Sequence, residues 1–325
     1  MRIKGKIMFA VAFVGFGLSL QAQQNQMSQS KTEPIMQIFG NLHTGFGEKS
    51  SDVGFELERV YLGCSHKLSD DLTIKGVVDV GRSADVSDYH RVAYIKNTMI
   101  SWKTGEFTFN GGLIPTTQFS FQEKFWGFRH VMKSFQDIYK FGSSTDLGIS
   151  ASWNPNEWLS ADVIVVNGEG YKKIQSNNGF NYGIGATLMP FEGLHIRIYG
   201  GLNQKAGANR QDLLNMAAFI GYEIGSLALG AEYNHLQSGF ANPTDSKDGL
   251  SAYLSLALNS KVKTFARFDQ LNTENIEQDE SMAVLGAEFK IMEKIKIAPN
   301  FRITIPKQSG QHNNYFAYIN CSVEL

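Results

Sequence analysis

Residues 144–167 read STDLGISASWNPNEWLSADVIVVN, and their alternation decides the fold. Leu147, Ile149, Ala151 and Trp153 fall on one face of an extended chain, with Asp146, Ser150 and Ser152 on the other. Successive side chains of a strand point to opposite sides, so this period of two predicts a strand with one apolar face. Asn154-Pro155-Asn156-Glu157 supplies turn chemistry, and a second run starts at Trp158. The pattern continues outward from this hairpin. Phe180, Tyr182, Ile184, Ala186 and Leu188 oppose Asn181, Gly183, Gly185 and Thr187. Near the end, Ile295, Ile297, Phe301 and Ile303 oppose Lys296, Asn300, Arg302 and Thr304. Sixteen such runs are expected, at 34–45, 53–65, 71–80, 92–102, 105–113, 144–153, 158–167, 179–189, 193–203, 212–223, 226–236, 249–258, 261–271, 280–290, 294–305 and 314–324.

The connections separate a soluble sheet from a membrane barrel. Seven are short: 67–71, 103–104, 154–157, 189–192, 224–226, 259–260 and 292–294. They alternate with eight longer, more polar ones at 46–52, 81–91, 114–143, 168–178, 204–211, 237–248, 272–279 and 306–313. Short turns at one end and long loops at the other mark a transmembrane antiparallel β-barrel. The expected fold is thus all-β, one barrel domain over 34–325, its first and last strands meeting so that no edge stays unpaired in lipid.

The start of the chain fits that destination. Arg2, Lys4 and Lys6 precede a 14-residue apolar run from Ile7 to Leu20, and Ala22 offers a small residue for cleavage. This predicts a signal peptide over 1–22, too short to span a bilayer, and a short flexible segment over 23–33. Losing the leader changes 30 basic and 31 acidic residues to 27 and 31, a formal charge of −4, so nucleic acid is not an expected partner. Cys64 and Cys321 fall on strands separated by the first strand and are read as unbridged.

The interval 114–143 is far longer than an ordinary connection and predicts a function. Within it Phe121, Phe125, Phe128, Met132, Phe135 and Tyr139 recur at spacings of three and four, one helical face, while Arg129, Lys133 and Lys140 gather on its flank. A sixteen-stranded lumen is too wide for wall side chains to fill. The expectation is a short helix folded into the lumen as a constriction, with Phe121, Lys124, Phe125, Arg129, Lys133, Asp137 and Lys140 as its candidate residues. Lumen-wall candidates from strand parity are Lys75, Asp79, Arg197, Glu232, Lys263, Arg267, Asp269, Lys296 and Arg302. Basic residues lead slightly, which predicts a weak anion preference. Parity around Arg59 conflicts with its neighbours: the phase that puts Phe55 and Leu57 outward puts Arg59 outward too, so either a bulge shifts the register or Arg59 lies near the membrane interface or against a neighbouring subunit.

Gly54-Phe55-Glu56-Leu57-Glu58-Arg59-Val60-Tyr61-Leu62-Gly63 with Lys67-Leu68-Ser69-Asp70-Asp71-Leu72, Val166-Asn167-Gly168-Glu169-Gly170, and Phe265-Ala266-Arg267-Phe268-Asp269 resemble segments of the phosphate-selective porin O and P family. The leader ending Leu-Ser-Leu-Gln-Ala-Gln is similar to those of Bacteroidetes secreted proteins. The resemblance implies a sixteen-stranded porin in the bacterial outer membrane, in contact with outer-membrane lipid and lipopolysaccharide. It also implies a homotrimer passing small hydrophilic solutes or anions by diffusion, with no cofactor. Phosphate specificity does not follow, since the family's arginine-rich first hairpin here carries Glu56, Glu58 and Val60 around Arg59.

Two other classes compete. A plugged adhesion or structural barrel would share every feature of the wall. A lipid hydrolase would need a nucleophile and base, for which the nearest fragment is Asn234-His235-Leu236-Gln237-Ser238-Gly239. The seven histidines show no metal spacing, and Asp85, Asp88, Asn242, Asp245 and Asp248 are loop acids or amides without an EF-hand pattern.

Overall fold

Alternating strands must give every backbone N–H and C=O a partner, and here each strand finds two neighbours. The computed structural model describes residues 31–83, 90–176, 178–204, 211–239, 244–274 and 279–325. The expected leader, the 23–30 part of the flexible segment, and Asp85, Asp88 and Asn242 lie outside the described residues. The strands are β1 Thr32–Phe46, β2 Val53–Lys67, β3 Leu72–Arg82, β4 Arg91–Thr104, β5 Phe107–Pro115, β6 Thr145–Asn156, β7 Leu159–Val166 and β8 Asn181–Leu188. They continue with β9 Leu194–Asn203, β10 Leu213–Ile224, β11 Leu227–Ser238, β12 Asp245–Ala257, β13 Val262–Thr273, β14 Glu280–Met292, β15 Ile295–Pro306 and β16 Asn314–Glu324. All pair antiparallel with their sequence neighbours, and β1 closes on β16 from Gln37↔Glu324 to Phe46↔Tyr315. Thr32 and Glu33, expected to be loose, belong to this sheet: Thr32 pairs with His66 and Glu33 with Ser65.

The barrel is apolar outside and polar inside. Ile149 and Ile184 are each 64 % exposed, whereas Asp79 and Asp269 are 0 % exposed. That inversion suits a wall surrounded by lipid and not by water. Among the described residues no helix is long and apolar enough to cross a membrane. Cys64 and Cys321 are free, opposite Pro34 and Gly40 on β1.

Two bulges reset which side chains enter the lumen. Phe39 pairs with Arg59 and Gly40 with Leu57, leaving Glu58 as an extra residue in β2. The extra residue reverses the phase, so Arg59 turns inward to Asp79 while Leu57 stays outward. This resolves the conflict at Arg59. In β4, Val77 pairs with Asn97 and Val78 with Ile95, leaving Lys96 as the extra residue. Lys96 also reaches into the lumen, where it meets Tyr61.

Candidate functional site

Between β5 and β6 the chain turns into the lumen. It forms α1 Ser120–Trp126 and α2 Phe135–Ile138. The single helical face expected over 121–139 is therefore two short helices. Gly127 adopts φ 74° and donates its N–H to the Glu123 carbonyl, which ends α1. Val131 and Met132 then both donate to the Phe128 carbonyl in a tight turn.

The apolar residues still reach one side. Trp126, Phe128, Val131 and Met132 pack on Phe219, Tyr253, Phe265, Val284 and Ala298 of β10 and β12 to β15, with Phe121 and Phe125 at the margin. Phe135, Tyr139 and Phe141 pack on Leu271 of β13. Phe135 is 0 % exposed and lies over Gly249, where a Cβ would come within 2.1 Å of its ring.

Irregular backbone inside a barrel needs donors for its carbonyls, and the wall supplies them. Arg197 donates to the Thr117 carbonyl at 2.7 Å, Arg267 to that of Lys133 at 2.7 Å and Arg302 to that of Val131 at 2.7 Å. Asn320, Asn215 and Lys247 hold the carbonyls of His130, Phe141 and Tyr139. Arg197 and Arg267 are further neutralised by Asp162 and Asp269. The wall arginines expected to face the solute path are thus loop anchors. Their local reason is the loop's position, which brings the carbonyls of Thr117, Val131 and Lys133 against the wall. Glu232 is 4 % exposed and takes a bond from Asn234 at 3.1 Å, so it too is set back from the water.

The polar side of the loop looks the other way, toward β2, β3 and β4. Arg129 pairs with Glu123 and with Asp137 at 3.0 Å, and Lys133 reaches Asp137 at 3.4 Å. Arg129 and Lys133, expected among the constriction residues, are therefore paired. Burial alone would raise the Asp137 carboxyl, but Lys133 and Arg129 outweigh it and hold it below its ordinary value. Lys124 and Lys140 are exposed, Lys140 at φ 56° in the turn leaving α2. On the facing wall Lys75 lies within electrostatic range of Lys96 and Lys124. Lys263 and Lys296 belong to a separate polar cavity of about 400 Å³ near the short-turn end, where Lys296 meets Glu288 at 3.7 Å.

Four participants escaped the sequence reading: Tyr61, Lys96, Tyr171 and Lys172. Tyr171 descends from the connection between β7 and β8. Its hydroxyl donates to Asp79, which also holds Arg59. Asp146 explains the descent, since its carboxylate accepts the N–H groups of Leu147, Gly168 and Gly170 at 2.7 to 3.1 Å. Gly168 at φ 108° and Gly170 at φ 80° let the chain wrap that carboxylate. The signal was present in Asn167-Gly168-Glu169-Gly170, read only as a family segment. Lys96 was hidden because no conflict of parity was read around its bulge, as one was around Arg59.

The hydrolase fragment does not assemble. His235 bonds Asp248 at 2.9 Å, but Ser238 is three residues along the same strand, hence on the opposite face. No group of three or more metal-ligating side chains occurs among the described residues.

No family model matches the chain, and no curated protein sequence matches it. Solved structures do. OmpT of Vibrio cholerae is 15 % identical with a TM-score of 0.67, over 93 % of this chain and 99 % of that one. The anion-selective porin from Comamonas acidovorans is 11 % identical with a TM-score of 0.68, over 91 % and 100 %. OprB of Pseudomonas putida is 10 % identical with a TM-score of 0.71, over 90 % and 94 %. The chain therefore has the sixteen-stranded barrel fold of the outer-membrane porins. The narrower likeness to the phosphate-selective O and P family finds no support in these comparisons.

Proposed function

We propose that the protein is a passive diffusion channel of the bacterial outer membrane for small hydrophilic solutes, with a weak preference for anions. The observation that carries this reading is the two-sided loop between β5 and β6. Its apolar side is fixed to the wall from β10 to β15, and its charged side faces β2 to β4 across the lumen. Such a loop narrows a wide barrel to a polar eyelet and leaves a path beside it. Arg59, Lys75, Lys96, Lys124, Arg129, Lys133 and Lys172 stand against Glu58, Asp79, Glu123 and Asp137, an excess of three positive charges. Because the arginines are paired, the excess rests on lysines, which supports a mild preference.

The same fold in an anion-selective porin agrees with this reading, and OmpT has been described in a trimer form. A homotrimer in outer-membrane lipid is part of the proposal. Recording in planar bilayers under a salt gradient tests it. A steady conductance with a reversal potential on the chloride side is the expected result. Potassium preference would overturn the anion reading, and a folded but silent barrel would turn the assignment to a plugged adhesion or structural barrel.

A further inference from the structure

Lys96 and Lys172 are the cations of the eyelet that lie on aromatic rings. The Lys96 ammonium is 4.4 Å from the Tyr61 ring centroid and 5.6 Å from that of Tyr171. The Lys172 ammonium is 4.8 Å from the Tyr94 ring and 5.9 Å from that of Tyr171. Tyr94 and Tyr171 meet edge to face at 6.2 Å. The order in space is Tyr61, Lys96, Tyr171, Lys172, Tyr94, contributed by β2, β4 and the loop that Asp146 folds inward. Neither lysine has an ion pair among the described residues. The arginines nearby are occupied, Arg59 by Asp79, and Arg129 by Glu123 and Asp137.

We infer that this tyrosine–lysine stack is a binding subsite for aromatic monocarboxylates passing through the channel. The inference rests on the channel reading and names a solute class for it. The chemistry runs as follows. A strongly hydrated anion such as phosphate is best held by forked guanidinium donors, and those are already taken. What remains is a pair of ammonium groups, each half-desolvated by a ring. A carboxylate engages one ammonium with a charge-assisted hydrogen bond. A flat apolar ring attached to it then lies against tyrosine faces and edges, at the distances aromatic pairs prefer. The ammonium groups on their other side keep the tyrosine faces polarised. Acetate offers the charge without the ring, and phosphate offers charge with a hydration shell that the rings cannot replace.

The test uses the full-length protein folded in detergent, with benzoate, acetate and inorganic phosphate as probes. Titration calorimetry measures binding, and block of the potassium chloride current in bilayers measures occupancy in the path. Benzoate is expected to half-saturate at about tenfold lower concentration than acetate or phosphate, the size of one aromatic contact. Lys96→Met weakens benzoate and acetate together. Tyr94→Leu weakens benzoate about fivefold and leaves acetate unchanged, while Tyr94→Phe retains benzoate binding and shows that the ring, not the fold, was lost. Equal binding of benzoate and acetate, tighter binding of phosphate, or a Tyr94→Leu variant like the parent would overturn the inference. A conducting protein that does not distinguish benzoate from acetate overturns this inference alone. A silent protein that still binds benzoate overturns the channel reading and sustains the subsite.

Discussion

In the proposed eyelet, Asp137 should set how much positive charge is shown. It is shared by Arg129 and Lys133, which hold its carboxyl below the ordinary value against the effect of burial. A carboxylate with a depressed value in the folded state stabilises above the unfolded value, and that contribution is lost as pH falls through the folded one. Here the loss begins below about pH 4. Protonation then removes a negative charge and frees Lys133, while Arg129 keeps Glu123. Wild-type channels should therefore become more anion-preferring below that pH, and Asp137→Asn should show the same preference at neutral pH. A chloride-to-potassium permeability ratio raised about twofold is expected, allowing for screening at the salt used. An unchanged reversal potential in Asp137→Asn would show that the carboxylate lies off the ion path. Gly249 makes the opposite kind of prediction, about space. A Cβ there would come within 2.1 Å of the Phe135 ring. Gly249→Val should displace α2 at a cost of about 1–3 kcal/mol, read as a larger, noisier conductance with the barrel still folded.

At the scale of elements, the strands and the alternation of short and long connections were legible, because membrane solvation forces a period of two and pairing forces adjacency. The loop's route into the lumen was legible from its aromatic spacing. Its break into two helices was not, since Phe121 to Tyr139 keep helical spacing through Gly127, whose left-handed turn ends α1. The bulge at Glu58 showed itself as the parity conflict at Arg59, whereas the one at Lys96 was hidden. An extra residue changes phase without leaving a mark in composition. The roles of Arg197, Arg267 and Arg302 were misjudged because parity gives the side of the wall and not the partner. The carbonyls they serve belong to residues 80 to 171 positions away.

That misreading has a measurable consequence for the loop. Arg267 donates to the Lys133 carbonyl and makes two buried bonds to Asp269. Removing it leaves a charge uncompensated, a loss of about 3–5 kcal/mol, whereas removing both members of the pair leaves a carbonyl unserved. Arg267→Met should thus lower the urea midpoint of the detergent-folded protein more than Arg267→Met with Asp269→Leu. Both should open the eyelet and raise conductance. If the single variant were the more stable, the anchor would be a bystander to a loop held by its aromatic residues alone.

For the whole molecule, closure is the condition on which every other feature depends. β1 and β16 share ten paired positions, from Gln37↔Glu324 to Phe46↔Tyr315, and they join the two ends of the chain. Loss of that seam would leave two strand edges facing hydrocarbon, where each unpaired backbone group costs several kcal/mol. The loop depends on the same seam, since Asn320 of β16 holds both the His130 carbonyl and the Asn300–Arg302 pair that serves Val131. A chain ending at Asn313 should therefore fail as a unit. It should not yield a fifteen-stranded barrel with a weakened mouth. Unheated wild-type protein is expected to run on a denaturing gel as a compact band that shifts on boiling, and the truncated chain to run as unfolded at either temperature. A compact, heat-shifted band from the truncated chain would mean that β15 can close on β1. The anchoring of the eyelet would then have to be independent of the last strand, contrary to the hydrogen bonds that Asn320 makes.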